Sequence, residues 1–302
     1  SVVYPTWKIN NDWFVTGALQ LVTRPYFFSD LSSQGYGAKG QVLQSTLNYS
    51  RMFKNGSVLV RAGQMSSAFG SFLLRYDDSD NALVDLPTGY GYYYAPVSIL
   101  AVAGAQADAT YRNWDARLQF ANSSPANPRS LFAGDQYGNW AGGAGHTIRQ
   151  GFRVGVSAYR GPFLDRQNQY FFPGEAHPNK LPATAFGFDV NWAHGHTSAQ
   201  GEAQRFIFPY HAVPTFREWA GYGELKQVLS PRWYIAVRNG FSTTSAAGGS
   251  QVVETAAGFR PDRLQLLKVG YEYEHYGAGA GGNDQVLAIQ FITTIHGSVG
   301  RE

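Results

Sequence analysis

The clearest pattern in this chain is a strict alternation of apolar and polar residues across residues 264–296. In the first half of that stretch, Leu267, Val269, Tyr271 and Tyr273 take every second position, with charged residues or glycine between them. Successive side chains of a β-strand point to opposite faces, so a period of two predicts strands. Each run has about ten residues, which is the length that a tilted strand needs to cross a lipid bilayer.

The same alternation recurs along most of the chain and predicts about fourteen strands. Short turns alternate with longer loops between these runs. Lys54-Asn55-Gly56 is the strongest turn signal, because Asn-Gly tolerates the positive φ angles of a tight hairpin. The other short turns are predicted at Asn113, Gln150, Gly195, Pro231 and Pro261. We therefore predict one all-β domain over residues 1–302, a transmembrane antiparallel β-barrel with short periplasmic turns and long outer loops.

Large aromatic residues lie beside the predicted short turns, as they do in the aromatic girdles of membrane barrels. The alternative is that these rings form the core of a soluble β-sandwich. A sandwich does not readily place its short turns on one side only, so the barrel is favoured. The aromatic residues are Trp13, Tyr49, Tyr111, Trp114, Phe152, Trp192, Trp233 and Phe259.

Composition supports a barrel in the bacterial outer membrane. Charged residues make up only 15%, aromatics also reach 15%, and the mean hydropathy is −0.27. No apolar run approaches the roughly 18 residues of a membrane-spanning helix, whereas a barrel needs only every second residue to be apolar. The net charge of +3 is too small to indicate a nucleic-acid partner. No cofactor motif is present, so none is predicted.

If the apolar face meets lipid, the charged face lines the lumen. The middle strands supply arginines and the later strands supply glutamates, which predicts two opposed arcs with a transverse field between them. Six residues interrupt these arcs and favour local ion pairs, so a lumen plugged by salt bridges is the alternative; they are Asp108, Asp115, Asp189, Lys226, Arg238 and Lys268. The predicted pore-lining residues are Arg61, Arg112, Arg117, Arg153, Arg238, Glu202, Glu218, Glu224, Glu254, Lys268, Glu272 and Glu274.

The alternation lapses over residues 66–97, which we interpret as a long loop inserted at the outer end of the barrel. Loops of this length without repeats are usually functional or disordered. Its apolar residues favour burial, so we expect it to fold inward as a constriction; an outward lid or adhesion loop is the alternative. The predicted constriction residues are Arg75, Asp77, Asp78, Asp80 and Asp85.

Several short motifs resemble porin-type barrels of the phosphate-selective-porin-like group. These are Arg61-Ala62-Gly63-Gln64, Phe69-Gly70, Arg75-Tyr76-Asp77-Asp78 and the stretch from Gly142-Gly143 to Gly155-Val156-Ser157-Ala158-Tyr159. The resemblance covers about half of the chain and implies a diffusion channel, often a homotrimer. Phosphate specificity is not carried over, because no lysine ladder is apparent and the insertion is acidic.

The sequence does not favour catalytic or metal chemistry. The histidines have no serine and acid at a recognisable family spacing. His194 and His196 flank a turn glycine, which favours a plain hairpin over a metal site. The acidic run Asp77-Asp78-Ser79-Asp80-Asn81 could offer oxygen ligands to calcium, but it lacks the following glycine and the distal glutamate of a helix-loop-helix site.

The leading prediction is a non-enzymatic outer-membrane channel for small polar or charged solutes, in contact with outer-membrane lipid. The alternatives are a non-conducting barrel that docks a protein partner of a membrane assembly, and a lipid-acting barrel enzyme.

Overall fold

The computed structural model describes residues 2–22, 39–73, 80–90, 97, 102–122, 138–163, 180–211, 213–245, 248–277 and 282–295. Its strands form a single antiparallel sheet of 16 strands. The strands are β1 (Val2–Val3), β2 (Thr6–Lys8), β3 (Trp13–Val22), β4 (Lys39–Phe53), β5 (Gly56–Met65), β6 (Val102–Tyr111), β7 (Trp114–Ala121), β8 (Asn139–Arg149), β9 (Phe152–Pro162), β10 (Pro182–His194), β11 (Thr197–Phe208), β12 (Phe216–Ser230), β13 (Trp233–Thr244), β14 (Gly248–Phe259), β15 (Gln265–Tyr276) and β16 (Gly282–Thr293). A 3₁₀ turn covers Thr88–Tyr90. In the described part of the chain, no helix has both the length and the apolar character to cross a membrane.

The described residues form 16 strands rather than the fourteen expected, because two short strands precede the first predicted one. Both β1 and β2 pair with β3, and the Gly17 N–H donates to the Pro5 carbonyl between them at 2.9 Å. Pro5 has no N–H to give to a ladder, so it separates the two short pieces. Strands of two or three residues are too short for a period of two to show in the sequence.

The closed cylinder that the sequence predicted is not present, because the sheet runs from β1 to β16 and the described residues of its two end strands do not pair. Every pairing from β3 to β16 is antiparallel, so thirteen reversals leave β16 running opposite to β3. The short strands β1 and β2 are antiparallel to β3 and run in the same direction as β16. They occupy the edge of β3 on which β16 would form an antiparallel pair.

The two faces of the sheet have the polarity that the alternation predicted. On β13, Ile235 and Val237 are exposed on the outer face while Ala236 and Arg238 are buried on the inner face. At the end of the sheet, Leu287 is 73% exposed. An apolar outer surface of this extent marks a face that meets lipid or protein rather than water.

The buried apolar residues lie between the inner wall and the segment inserted after β5. One cluster joins Phe69 to Phe206, with ring centroids 5.8 Å apart. A second places Phe72 against Tyr222, and a third places Leu83 beside Tyr234. The core of this molecule therefore lies inside the curved sheet, and the inserted segment supplies one side of it.

Candidate functional site

The inserted segment is described over residues 66–73, 80–90 and 97, and it lies against inward-facing side chains of the sheet. Its polar contacts reach β7, β9, β11, β13 and β15, which spans the sheet from its middle to near its end. The described part of the segment has only one short 3₁₀ turn, so its backbone groups need partners from elsewhere in the fold. The inner wall supplies many of them.

The first anchor is a pair of β7 side chains that bind the start of the segment. The Arg117 guanidinium donates to the Ala68 carbonyl at 2.8 Å through Nε and also to the Gly70 carbonyl. The Gln119 amide donates to the Ser66 carbonyl at 2.8 Å and accepts from the Ala68 N–H at 3.1 Å. These contacts direct the chain inward as soon as it leaves β5.

The second anchor is the Glu202 carboxylate on β11. Its Oε1 accepts from the Ser71 N–H at 3.1 Å and from the Ser71 hydroxyl at 2.7 Å, and its Oε2 accepts from the Tyr90 hydroxyl at 2.5 Å. Burial, reinforced by this carboxylate, raises the pKa of Tyr90, which keeps the hydroxyl protonated as a donor. Gly70 adopts a φ of +75°, and a Cβ there would lie 1.9 Å from the Tyr90 hydroxyl oxygen, so glycine is required.

The third anchor is Arg238 on β13, whose side chain is fully buried. It donates to Glu224 at 2.8 Å and to Glu254 at 3.0 Å, carboxylates of the two adjacent strands. The same guanidinium reaches the Asp85 carbonyl at 2.9 Å and the Asn81 side-chain oxygen at 3.2 Å. One buried cation is therefore shared between the sheet and the inserted segment, and its charge is offset within the sheet.

Two further side chains, Lys268 on β15 and Tyr234 on β13, also bind the inserted segment. The Lys268 ammonium donates to the Leu83 carbonyl at 3.1 Å, and the Tyr234 hydroxyl donates to the Ala82 carbonyl at 3.1 Å. Lys268 is 0% exposed. A buried ammonium is costly unless it is paired or hydrogen-bonded, and the Leu83 carbonyl supplies one such bond.

A second ion-pair network joins side chains of three strands of the sheet. Arg153 on β9 binds Asp115 at 2.6 Å and Asp189 at 2.5 Å, on β7 and β10. The guanidinium passes over Gly145 and Gly155, where added Cβ atoms would lie 2.0 Å and 2.5 Å from the network. Side chains at these two positions would block the bridge.

The remaining predicted pore-lining residues are scattered. Arg61 binds Asp108 at 2.7 Å, and both side chains are partly exposed on the inner face. Arg112 lies in the exposed turn between β6 and β7 with a φ of 53°. Glu218 and Glu272 are half-buried on inward-facing positions of β12 and β15. Glu274 accepts from Tyr276 at 2.7 Å.

The predicted constriction residues are only partly covered by the structure. Arg75, Asp77 and Asp78 lie outside the described residues. Asp80 and Asp85 are exposed. The acidic run considered for calcium falls mostly in the same undescribed stretch.

Several residues of the site were missed because the sequence reasoning followed charge. Gln119 and Gln204 face inward and are almost fully buried, and Tyr90 and Asn81 belong to the segment itself. The period of two places both glutamines on the polar face, so alternation alone could have found them. The contacts of Tyr90 and Asn81 had no counterpart in the pattern.

Three arginines of the inner wall are paired locally with carboxylates. Arg153 and Arg238 each lie between two carboxylates of nearby strands, and Arg61 has its own partner. This is the pairing that the sequence raised as the alternative to two opposed arcs. These three arginines therefore have carboxylates close at hand and do not form a separate basic arc.

No protein-family model and no curated protein matches the chain. Solved structures do match over nearly its whole length. The complex of Salmonella typhi OmpF with daunomycin gives a TM-score of 0.63 at 12% identity, covering 96% of this chain and 88% of that one. An anion-selective porin from Comamonas acidovorans gives 0.62 at 9% identity, covering 96% and 82%. The trimer form of the Vibrio cholerae outer membrane protein OmpT gives 0.59 at 10% identity, covering 95% and 86%. The chain thus has the fold of porin-type outer-membrane β-barrels.

Proposed function

We propose that this protein is an outer-membrane channel through which small polar or charged solutes diffuse passively. The observation that carries the proposal is the polarity of the sheet, with apolar side chains on the outer face and hydrogen-bonded polar side chains on the inner face. A wall of this kind suits a cylinder that has lipid outside and water inside. The fold shared with outer-membrane porins supports the same placement.

We propose that the sheet closes in the membrane by antiparallel pairing of β16 with β3, on the edge of β3 that β1 and β2 occupy in this structure. Leu287, Ile289 and Phe291 on β16 are exposed, so this edge would meet hydrocarbon. An unpaired backbone N–H or C=O costs several kcal/mol in the bilayer core, so an open edge of this length is not tolerated there. Closure would remove it without altering the inner face.

The inserted segment 66–97 is proposed as the constriction of this channel. Its described part is anchored to Arg117, Glu202 and Arg238, which lie on three well-separated strands of the inner wall. Asp80 and Asp85 are exposed beside these anchors. The undescribed Arg75, Asp77 and Asp78 are proposed to act with them on passing solutes.

Ion selectivity should be weak. Fixed charges select ions by the field that they project into the passage. Here Arg61, Arg153 and Arg238 each lie within 3.0 Å of a carboxylate, so their fields are largely offset close to the wall. We expect size and hydrogen bonding to govern passage more than net charge.

A homotrimer is proposed as the working form, because a trimer form is described for one structure with this fold. The second candidate function is a non-conducting barrel that docks a protein partner. The extent of the inserted segment's contacts, from β7 to β15, favours that reading because a fully filled lumen would not conduct.

Planar-bilayer recording of the purified, folded protein separates the two functions. We expect discrete conductance steps that close in three equal levels, with a reversal potential near zero in a salt gradient. A sealed wall is needed for stable steps, so the recording also tests closure of the sheet. Protein that inserts and stays silent would contradict the channel and favour the docking barrel.

A further inference from the structure

A groove of about 480 Å³ runs along the outer face of the sheet over β14. Its floor is Thr255 and Ala257, which are small. The pairing register places larger side chains on both sides of this floor. These walls are Ile235 and Val237 on β13, and Val269 and Tyr271 on β15. The small side chains of β14 thus leave an elongated depression on the outer face, and its lining is almost entirely apolar.

The end of this groove nearest the short turns is marked by an aromatic pair. Trp233 and Phe259 lie at the adjoining ends of β13 and β14, with ring centroids 4.5 Å apart. Aromatic rings of this kind sit at the level of the lipid headgroups. Ile235 and Ala257 come two residues further in on each strand, so the groove begins where the hydrocarbon begins.

Exposed arginines lie just beyond the aromatic pair. Arg232 and Arg263 are in the turns that end β12 and precede β15, and both are exposed. The backbone of the two turns is joined, since the Arg260 N–H donates to the Arg232 carbonyl at 2.8 Å. The nearby Asp262 carboxylate accepts from the Leu264 N–H at 2.7 Å within its own turn. The turns next to the Trp233–Phe259 pair thus carry two exposed arginines, at the end of the groove where the lipid headgroups are expected.

We propose that this groove binds an anionic phospholipid, with an acyl chain over Thr255 and Ala257 and the phosphate beside Arg232 and Arg263. The apolar groove matches a hydrocarbon chain, and the two guanidinium groups match an anionic headgroup through charge-assisted hydrogen bonds. Along the strands, the arginines, the aromatic pair and the apolar groove follow one another in the same order as the phosphate, the interfacial region and the acyl chain of a phospholipid. The proposal uses the membrane placement of the barrel but not its conduction.

Native mass spectrometry of the detergent-solubilised protein tests this assignment. Phosphatidylglycerol and phosphatidylethanolamine with identical acyl chains are titrated against the protein. We expect retained phosphatidylglycerol at concentrations where phosphatidylethanolamine is lost. In the double variant R232Q/R263Q the affinity for phosphatidylglycerol should fall about 30-fold, as expected from removing two cations near a phosphate.

Two further variants separate the groove from general electrostatics. K180Q/R217Q removes two exposed cations at the opposite end of the strands and should bind phosphatidylglycerol like the wild type. A257L fills the floor of the groove while keeping the arginines, and should weaken retention of both lipids. Because these readings are made in detergent, they stand whether or not the protein conducts.

Equal retention of the two lipids by the wild type would overturn the proposal. So would equal losses in R232Q/R263Q and K180Q/R217Q, which would indicate nonspecific charge attraction. If A257L retains both lipids as well as the wild type does, the groove is not the binding site of the acyl chain. If wild-type oligomers exclude lipid and only dissociated monomers retain it, the groove is covered by a second copy and the lipid assignment is wrong.

Discussion

Replacing residues 68–90 with a short Gly-Ser linker should raise the single-channel conductance severalfold. The described part of this stretch places Phe69, Phe72 and Leu83 against the inner wall, where they fill space that water would otherwise occupy. Removing them would leave the inner wall to solvent. The measurement is planar-bilayer recording of the variant beside the wild type under identical salt.

The linker variant leaves several buried charges without partners from the segment. Arg117 and Lys268 would each lose carbonyl acceptors, but both would gain access to water in the widened lumen. The barrel should therefore still fold, as shown by its electrophoretic mobility before and after heating. If the linker variant fails to fold, the double variant Y90F/E202Q tests the same point by weakening one anchor.

Y90F/E202Q removes the Tyr90 hydroxyl and the negative charge of the Glu202 carboxylate to which that hydroxyl donates a hydrogen bond. We expect unchanged main conductance with frequent brief steps to a higher level, as the segment leaves the wall. The matched control is E274Q, whose carboxylate accepts from Tyr276 on its own strand. Conductance unaltered in the linker variant would show that the segment does not obstruct the passage.

The second large effect is expected from R238M, which should lower the free energy of unfolding by about 3–5 kcal/mol. Methionine matches much of the arginine's bulk but leaves Glu224 and Glu254 buried and uncompensated. It also removes the donors to Asn81 and the Asp85 carbonyl, so the inserted segment loses an anchor. Urea unfolding followed by tryptophan fluorescence in lipid vesicles measures the change.

The triple variant R238M/E224Q/E254Q identifies the cause. Neutralising both carboxylates should restore most of the lost stability, because the cost arises from unpaired charge more than from lost packing. The exposed Arg217 provides the control, since R217M should change stability by less than about 0.5 kcal/mol. A loss in R238M below about 1 kcal/mol would contradict the account of this network.

The long strands β3 to β16 follow from the sequence because a wall between lipid and water needs alternating side chains. On β13, for example, Ile235, Val237 and Phe241 alternate with Arg238 and Ser242, which separates the two faces. The occupation of the β3 edge by two short strands could not be predicted in this way. With two and three residues, β1 and β2 are too short to show an alternation of polar and apolar positions. Their pairing with β3 depends on where Pro5 interrupts the hydrogen bonds of the strand pair.

The centre of the candidate site was predictable in composition but not in arrangement. Glu224, Arg238 and Glu254 were all placed on the inner face, yet their pairing depends on the register of three strands. Contacts to backbone carbonyls, such as Arg117 to Ala68, leave no trace in a pattern of side chains. The acceptor is present in every residue, so only the path of the inserted segment selects it.

The most direct test of the central claim is a nitroxide scan of β13 in lipid vesicles, from residue 234 to residue 238. The account predicts that labels at 235 and 237 collide with oxygen dissolved in the hydrocarbon, whereas labels at 234 and 236 do so far less. The accessibility should therefore alternate with a period of two along the strand. Uniform oxygen accessibility, or the opposite phase with 234 and 236 in contact with lipid, would contradict an inward polar face enclosed by an apolar wall.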